Sequence, residues 1–202
     1  MIAPGRVMLA LLAAGQSRRF GDADKLSADV AGMPLALHAV AALRPIAFLN
    51  RVAIISGTSV DFTAHGYRLI ANPAPEAGLS GSVRLAADAA QQMGATAVIM
   101  ALADMPCITT AQVERLLSQA ARPDDVIAST DGMRPSPPAL FGAGQFAALG
   151  SLTGDEGART LLRHARQIAA EPGTLIDVDT PADLEVADQR LRAIRGAARQ
   201  SG

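Results

Sequence analysis

The chain has 202 residues, of which half are apolar and 3% aromatic, and its formal net charge is −1. This length suits one α/β domain, so we predict a single domain over residues 1–202 with a core spanning about 7–195. The near-neutral charge excludes a global field that would recruit nucleic acid or an anionic membrane. The single cysteine, Cys107, excludes an internal disulfide and fits a reducing, cytoplasmic location; we expect it to be a small buried apolar residue.

Apolar runs of strand length alternate with segments of helical periodicity along most of the chain. The pattern predicts strands at residues 7–13, 51–57, 67–72, 96–102, 125–129, 139–141 and 174–178. It predicts helices at residues 34–49, 80–93, 109–121 and 156–164, and a last helix that begins at residue 181. The alternation predicts a three-layer α/β fold of the Rossmann-like kind, in which helices cover both faces of a mostly parallel sheet.

Two further segments are predicted from local composition. Residues 130–138 are predicted to form a functional loop beside the sheet. The last helix has an N-cap threonine followed by proline, and its apolar residues are spaced as one buried stripe. The stripe consists of Leu184, Ala187, Leu191 and Ile194.

Residues 7–14 admit two interpretations. After Arg6, this run of apolar and small residues imitates a short signal peptide. The same run has the composition of a buried parallel strand that enters a turn. We favour the strand, because the residues that follow the run look like a functional turn. The run is too short to span a bilayer, and we find no other candidate membrane segment.

The turn after this first strand has the residues of a phosphate-binding loop. Gly15 allows backbone amides to approach an anion closely, and the cations Arg18 and Lys25 can neutralise a triphosphate. Lys25 is the only lysine in a chain that has seventeen arginines, and its compact ammonium group suits a phosphate. A dinucleotide fingerprint and a Walker P-loop are both absent, so this turn predicts a different nucleotide site.

Two acidic segments follow strands that are predicted to end at the same edge of the sheet. Asp104 comes directly after the apolar strand at 96–102, and Asp177 and Asp179 lie at the end of the strand at 174–178. Strand alternation places Asp177 and Asp179 on one side. Carboxylate oxygens are preferred ligands of Mg²⁺, so Asp104 and Asp179 together predict a magnesium site.

These segments carry a resemblance to a known family. The motifs at residues 12–25, 104–106 and 177–181 resemble those of the nucleotidyltransferases of molybdenum cofactor biosynthesis, most closely the cytidylyltransferase branch. Residues 72–82 and 152–159 match the same branch, and the likeness extends from about residue 7 to residue 188. The resemblance implies catalytic roles for Arg18, Lys25 and Asp104, and Mg²⁺ on Asp104 and Asp179. It also implies nucleotide binding by Ala13, Ala14, Gly15, Ser17, Arg18, Lys25, Asn72, Gly78, Ser80 and Ser82.

The implied reaction is transfer of CMP from CTP to a phosphorylated small molecule, with molybdopterin as the expected acceptor and a molybdoenzyme as a possible client. The tripeptide Ala13-Ala14-Gly15 resembles the one that cytidylyltransferases have at this position. The guanylyltransferase branch usually has Ala-Gly-Gly there. Alternatives are a sugar phosphate or methylerythritol phosphate cytidylyltransferase, a guanylyltransferase, or a non-catalytic accessory protein that delivers the cofactor.

The sequence departs from the family pattern in two places. The spacing between Gly15 and Lys25 is one residue longer than the commonest pattern, and Phe20 stands where methionine is usual. The branch commonly has Gly-His-Pro before a late strand, but residues 134–138 of this chain contain no histidine. The role of these residues and of Arg159 stays open at this point.

Overall fold

The computed structural model describes residues 1–15, 20, 24–154 and 162–200, with side-chain surroundings up to residue 196. Its strands occur singly or in groups of two or three, and an α-helix separates each group from the next. The strands are β1 (Val7–Ala13), β2 (Asp29–Val30), β3 (Met33–Pro34), β4 (Asn50–Ile55), β5 (Arg68–Ala71), β6 (Ala97–Leu102), β7 (Val126–Thr130), β8 (Pro135–Gly142) and β9 (Arg166–Ala169). The helices are α1 (Leu35–Leu43), α2 (Leu79–Gln92), α3 (Thr110–Gln119), α4 (Phe146–Gly150) and α5 (Pro181–Gln200).

The main sheet has seven strands in the order β5-β4-β1-β6-β8-β7-β9. Neighbouring strands are parallel except where β8 pairs antiparallel with β6 and β7. Strands β1 and β6 lie in the middle, and every residue of β1 is buried. The strand interpretation of residues 7–13 and the mostly parallel sheet are therefore confirmed.

Both faces of the sheet are covered, as the apolar strands predict. Leu9 and Leu11 of β1 belong to a core that also contains residues of α1 and α3. Met8 and Ala10 point to the opposite face, where the core contains residues of α2 and α4. Alternate side chains of β1 therefore belong to two separate cores, one on each face of the sheet. This arrangement is the predicted three-layer α/β fold.

Several element boundaries differ from the prediction. The helix predicted over 34–49 ends at Leu43, because Pro45 cannot continue a helix and restricts the residue before it. The predicted loop at 130–138 includes a turn and the first half of β8. Most of the helix predicted at 156–164 lies outside the described residues. The pattern also missed α4, the short β2–β3 hairpin and β9.

The strand predicted at 174–178 does not join the sheet. Its apolar character has another cause: Val178 is fully buried in a small third core that contains Val30, Leu35 and Ala187. The edge position is taken by β9, whose side chains are mostly exposed and therefore give a weak apolar signal.

The buried stripe predicted for the last helix is confirmed only in part. Ala187 is 0% exposed and Leu184 and Leu191 pack against the third core. Ile194 is 43% exposed, so its assignment to the buried stripe was wrong. None of the described helices combines the length and the hydrophobicity needed to cross a membrane.

Cys107 is 2% exposed, and burial raises the pKa of its thiol to about 11. Because the thiolate is the reactive form, we expect Cys107 to resist alkylation by iodoacetamide at pH 8 in the folded protein. Mass spectrometry should show modification only after urea is added. Full labelling of the native protein within minutes would contradict this burial.

Candidate active site

The candidate site lies at the carboxyl ends of β1 and β6, where ligands usually bind in open α/β sheets. The two strands are parallel and in register, so the turn after β1 and the segment after β6 emerge side by side. The Ala103 N–H donates to the Leu12 carbonyl over 3.0 Å and extends this pairing by one residue. Asp104 is therefore delivered next to the turn that begins at Ala14.

A cleft of about 290 Å³ opens at this position. Its walls come from the ends of β1 and β6, from the loop before α2 and from the first turn of α2. Five residues that the sequence assigned to the site line it. They are Ala14, Gly15, Gly78, Ser82 and Asp104. The cleft is also lined by residues that the sequence did not single out, namely Leu12, Pro75, Glu76, Leu79 and Leu102.

Gly78 immediately precedes α2 and fixes the backbone direction at the start of this helix, beside the cleft. Its φ of 88° lies in the range that favours glycine, and no side chain caps the helix that follows. The start of α2 therefore presents the positive end of the helix dipole to the cleft. This end of the helix favours an anionic ligand.

The remaining predicted nucleotide residues have supporting positions. The Asn72 side chain is buried, and its Nδ2 donates to Ser82 Oγ over 3.1 Å while its Oδ1 accepts from the Ala74 N–H over 3.1 Å. Asn72 thus holds a cleft residue and the loop before α2 in place. Ala13 and Ser80 are also buried, and neither lines the cleft. Ser17 and Arg18 lie outside the described residues.

Three carboxylates meet beside the cleft. One oxygen from each of Asp104, Asp177 and Asp179 lies within 4.8 Å of the others. The Val178 N–H donates to the Asp104 carbonyl over 3.0 Å, and this backbone bond holds the two acidic segments together. Asp104 Oδ1 is buried and has no hydrogen-bond partner among the described residues. A buried carboxylate oxygen without a partner suits a cation that binds at this position.

Lys25 lies at the centre of this cluster. It is 6% exposed, and its Nζ donates to Asp104 Oδ2 over 2.8 Å and to the Val178 carbonyl over 2.6 Å. Its Nζ is also 3.6 Å from Asp179 Oδ1. The ammonium group therefore offsets part of the repulsion among the carboxylates, and it is held from both acidic segments.

Asp177 is the third carboxylate, and the sequence interpretation did not include it among the metal ligands. Desolvation, followed by the negative charges of Asp104 and Asp179, raises its pKa to about 7. Asp177 is nevertheless an exposed residue, so we give the repulsion between carboxylates the greater weight. The spacing of Asp177 and Asp179, which places both on one side of an extended segment, could have predicted Asp177 as a third ligand.

Asp24 is a further residue that sequence reasoning missed. Its Oδ2 accepts from the Ser59 N–H over 2.8 Å and from Thr58 Oγ1 over 2.9 Å, and its Oδ1 accepts from the Leu26 N–H over 3.1 Å. These bonds tie the segment that carries Lys25 to the loop after β4. Asp24 therefore positions the lysine.

Comparison with known proteins agrees with this geometry. Residues 9–170 match the family model described as the MobA-like NTP transferase domain. The chain is 31% identical over 160 residues to a phosphoenolpyruvate guanylyltransferase of Sphaerobacter thermophilus, and the match covers 73% of this chain and 74% of that protein. It is 29% identical over 196 residues to the purine catabolism protein PucB of Bacillus subtilis, with 87% and 92% covered.

Among solved structures, the fold is similar to that of a nucleotidyl transferase from Methanothermobacter thermautotrophicus. The TM-score is 0.77 at 18% identity, and the match covers 93% of this chain and 99% of that one. The family match, the sheet order and the cleft beside the aspartate cluster lead to one assignment: the chain belongs to the family of MobA-like NTP transferase domains, and it is a nucleotidyltransferase.

Proposed function

We propose that this protein transfers CMP from CTP to a phosphomonoester, with molybdopterin as the preferred acceptor and pyrophosphate as the second product. We place the reaction in the cytoplasm, which suits a chain with a single cysteine. The observation that carries the proposal is the position of Lys25 and the three carboxylates at the edge of a cleft lined by Gly15 and the start of α2.

The chemistry needs no strong general base. A phosphomonoester is mostly dianionic at pH 7, since its second pKa is about 6. One of its oxygens attacks the α-phosphorus of the nucleotide and forms a new P–O bond, while the bond from the α-phosphorus to the bridging oxygen breaks. Pyrophosphate leaves with that electron pair. The protein therefore acts by holding the two phosphates in line and by neutralising charge.

We propose a separate role for each group of residues at the site. We assign the triphosphate to the turn that follows β1, where Ala14, Gly15, Ser17 and Arg18 are the proposed contacts. Ala13 ends β1 and is buried, so it supports this turn rather than contacting the nucleotide. Lys25 supplies a fixed positive charge at the edge of the cleft, and Arg18 is proposed to supply a second. Ser82 and Gly78 are proposed to contact the nucleoside. Asn72 supports Ser82 through its hydrogen bond, and Ser80 is buried in the first turn of α2.

The donor set beside the cleft fits Mg²⁺. Carboxylate oxygens of Asp104, Asp177 and Asp179 converge, and Asp104 Oδ1 lacks a partner among the described residues. Asp104 and Asp179 are the residues that we propose as ligands, with Asp177 as a third candidate. When bound there, Mg²⁺ would supply charge stabilisation on the phosphate oxygens.

A second candidate donor is GTP. Curated relatives from Sphaerobacter thermophilus and Conexibacter woesei are named phosphoenolpyruvate guanylyltransferases. CTP is preferred because Ala14 lines the cleft where the guanylyltransferase branch usually has glycine, so its methyl group narrows the space for a base or ribose. Phosphoenolpyruvate is likewise a second candidate acceptor, and it is also a phosphomonoester.

A pyrophosphate-release screen tests the proposal. The purified protein is incubated with CTP, GTP, UTP or ATP and Mg²⁺, each with molybdopterin, phosphoenolpyruvate or a sugar phosphate. We expect release to be fastest with CTP and molybdopterin and to stop when EDTA is added. Faster release with GTP would overturn the choice of donor. Nucleotide binding without any release would instead indicate an accessory protein.

Gly15→Ala is expected to weaken nucleotide binding without reducing stability. No described atom lies within 4 Å of a Cβ added at Gly15, so the fold has room for the methyl group. The residue lines the cleft, however, and a methyl group there takes space from a ligand that approaches the backbone. We expect calorimetric titration with CTP to show at least a tenfold weaker Kd, with an unchanged unfolding temperature. Equal affinity would remove Gly15 from the phosphate contacts.

A further inference from the structure

The turn between β7 and β8 lies at the same edge of the sheet as Asp104, because β8 is the antiparallel neighbour of β6. Strand β8 runs antiparallel to β6, with Ala139 paired to Met100 and Gly142 paired to Ala97. Ala128 pairs with Ala139 but Ser129 pairs with Ser136, so two residues of β8 bulge and its first residues lie near the level of Leu102, the last residue of β6. They therefore reach the edge of the sheet where Asp104 lies, and Arg134 directly precedes them.

The backbone of this turn is fixed by its own polar side chains. Asp131 Oδ1 accepts from the Met133 N–H over 2.9 Å and from the Arg134 N–H over 3.2 Å. Thr130 Oγ1 donates to the Arg134 carbonyl over 3.1 Å and accepts from the Gly132 N–H over 3.0 Å. The backbone of Arg134 is thus held in place before any ligand binds, so the loop itself loses little conformational entropy on binding.

The Arg134 guanidinium is available to a ligand. The residue is exposed, and within the described part of the chain it forms no salt bridge. Lys25 is buried among the carboxylates, whereas Arg134 is an exposed cation at the same edge of the sheet.

The sheet order decides which substrate Arg134 meets. The nucleotide cleft is lined by β1, β6 and the start of α2, and no residue of the β7–β8 turn lines it. Strand β8 lies on the far side of β6 from β1. In-line displacement requires the attacking oxygen to approach from the side opposite the departing pyrophosphate. With the triphosphate at the turn after β1, the acceptor approaches from the β8 side.

We propose that Arg134 binds the phosphate group of the acceptor and orients it toward the α-phosphorus of the bound nucleotide. The inference rests on the proposed function and adds the residue that recognises the second substrate. A guanidinium group suits this role, because its planar fork binds two phosphate oxygens at once. The phosphomonoester is thereby selected over an alcohol, which carries no charge for Arg134 to bind.

Binding and kinetics test this role with three variants. Arg134→Gln removes the charge, Arg134→Lys keeps the charge without the fork, and Arg44→Gln is the matched control at an exposed arginine after α1. The nucleotide site is first saturated with α,β-methylene CTP and Mg²⁺, so that added inorganic phosphate probes the remaining phosphate site. Amide chemical shifts measured by NMR then give the Kd for inorganic phosphate.

We expect Arg134→Gln to weaken phosphate binding at least tenfold. The phosphate affinity of Arg134→Lys should lie between that of Arg134→Gln and that of the wild type. Arg44→Gln should leave the affinity unchanged. In pyrophosphate release, Arg134→Gln should raise the KM for molybdopterin with little change in the KM for CTP. Phosphate affinity within twofold of the wild type, or a raised KM for CTP alone, would overturn the inference. If the wild type releases no pyrophosphate with any acceptor, the proposed function itself has failed.

Discussion

Lys25→Met is expected to reduce turnover at least a hundredfold and to lower the free energy of unfolding. The loss of turnover follows from removing a preorganised charge from a site where negative charge develops, an effect of about 3 kcal/mol. The loss of stability follows from the contact between Lys25 Nζ and Asp104 Oδ2, which is 2.8 Å long with side chains only 7% and 20% exposed. Breaking such a pair leaves a largely buried carboxylate unpaired, at about 3 kcal/mol.

A second substitution separates these two effects. In the double variant Lys25→Met, Asp104→Asn, the unpaired charge is gone, so urea unfolding should show stability returning toward that of the wild type. Pyrophosphate release should stay at the reduced level, because neither charge is restored. Asp179→Asn is the comparison for stability, since Asp179 is 56% exposed and its ion pair with Lys25 contributes less than about 1 kcal/mol. A Lys25→Met protein that keeps a tenth of the wild-type kcat would remove the lysine from catalysis.

Gly142→Ala is expected to lower the free energy of unfolding by about 3 kcal/mol or more, because the clash involves backbone that must move. A Cβ at Gly142 would lie 2.3 Å from the Pro123 carbonyl oxygen and 2.9 Å from that of Arg122. The close approach is built into the fold: the Gly142 N–H donates to the Asp125 carbonyl and the Gly144 N–H to the Pro123 carbonyl, over 2.9 and 2.8 Å. Urea unfolding followed by far-UV circular dichroism measures the change.

Gly196→Ala is the matched control for this substitution. Gly196 lies in α5, and among the described residues no atom outside the neighbouring helix backbone lies within 4 Å of a Cβ added there. Alanine in a helix interior is more favourable than glycine, so this variant should gain about 0.5–1 kcal/mol. If Gly142→Ala instead unfolds at the same urea concentration as the wild type, the segments around Pro123 and Gly142 are not pressed together as the structure has them.

The last acidic segment has a different structure from the one that its sequence predicts. Its apolar residues predicted a strand of the sheet, yet the segment packs outside the sheet, where Val178 fills the third core. The position of the aspartates was still useful, because the Val178 N–H bonds to the Asp104 carbonyl and brings both segments to one edge. The prediction of two converging carboxylates was therefore right even though its reason, a strand, was wrong.

The sequence by itself determined the α/β layers, the buried character of β1, and the edge of the sheet at which the polar groups gather. These features follow from local periodicity and from the rule that parallel strands end on one side. Only the tertiary structure decided that Lys25 is buried between two acidic segments, that Asp177 joins them and that Arg134 lies at the same sheet edge. Lys25 contacts residues 79 and 153 positions away, and such contacts depend on strand order and register, which no local pattern contains.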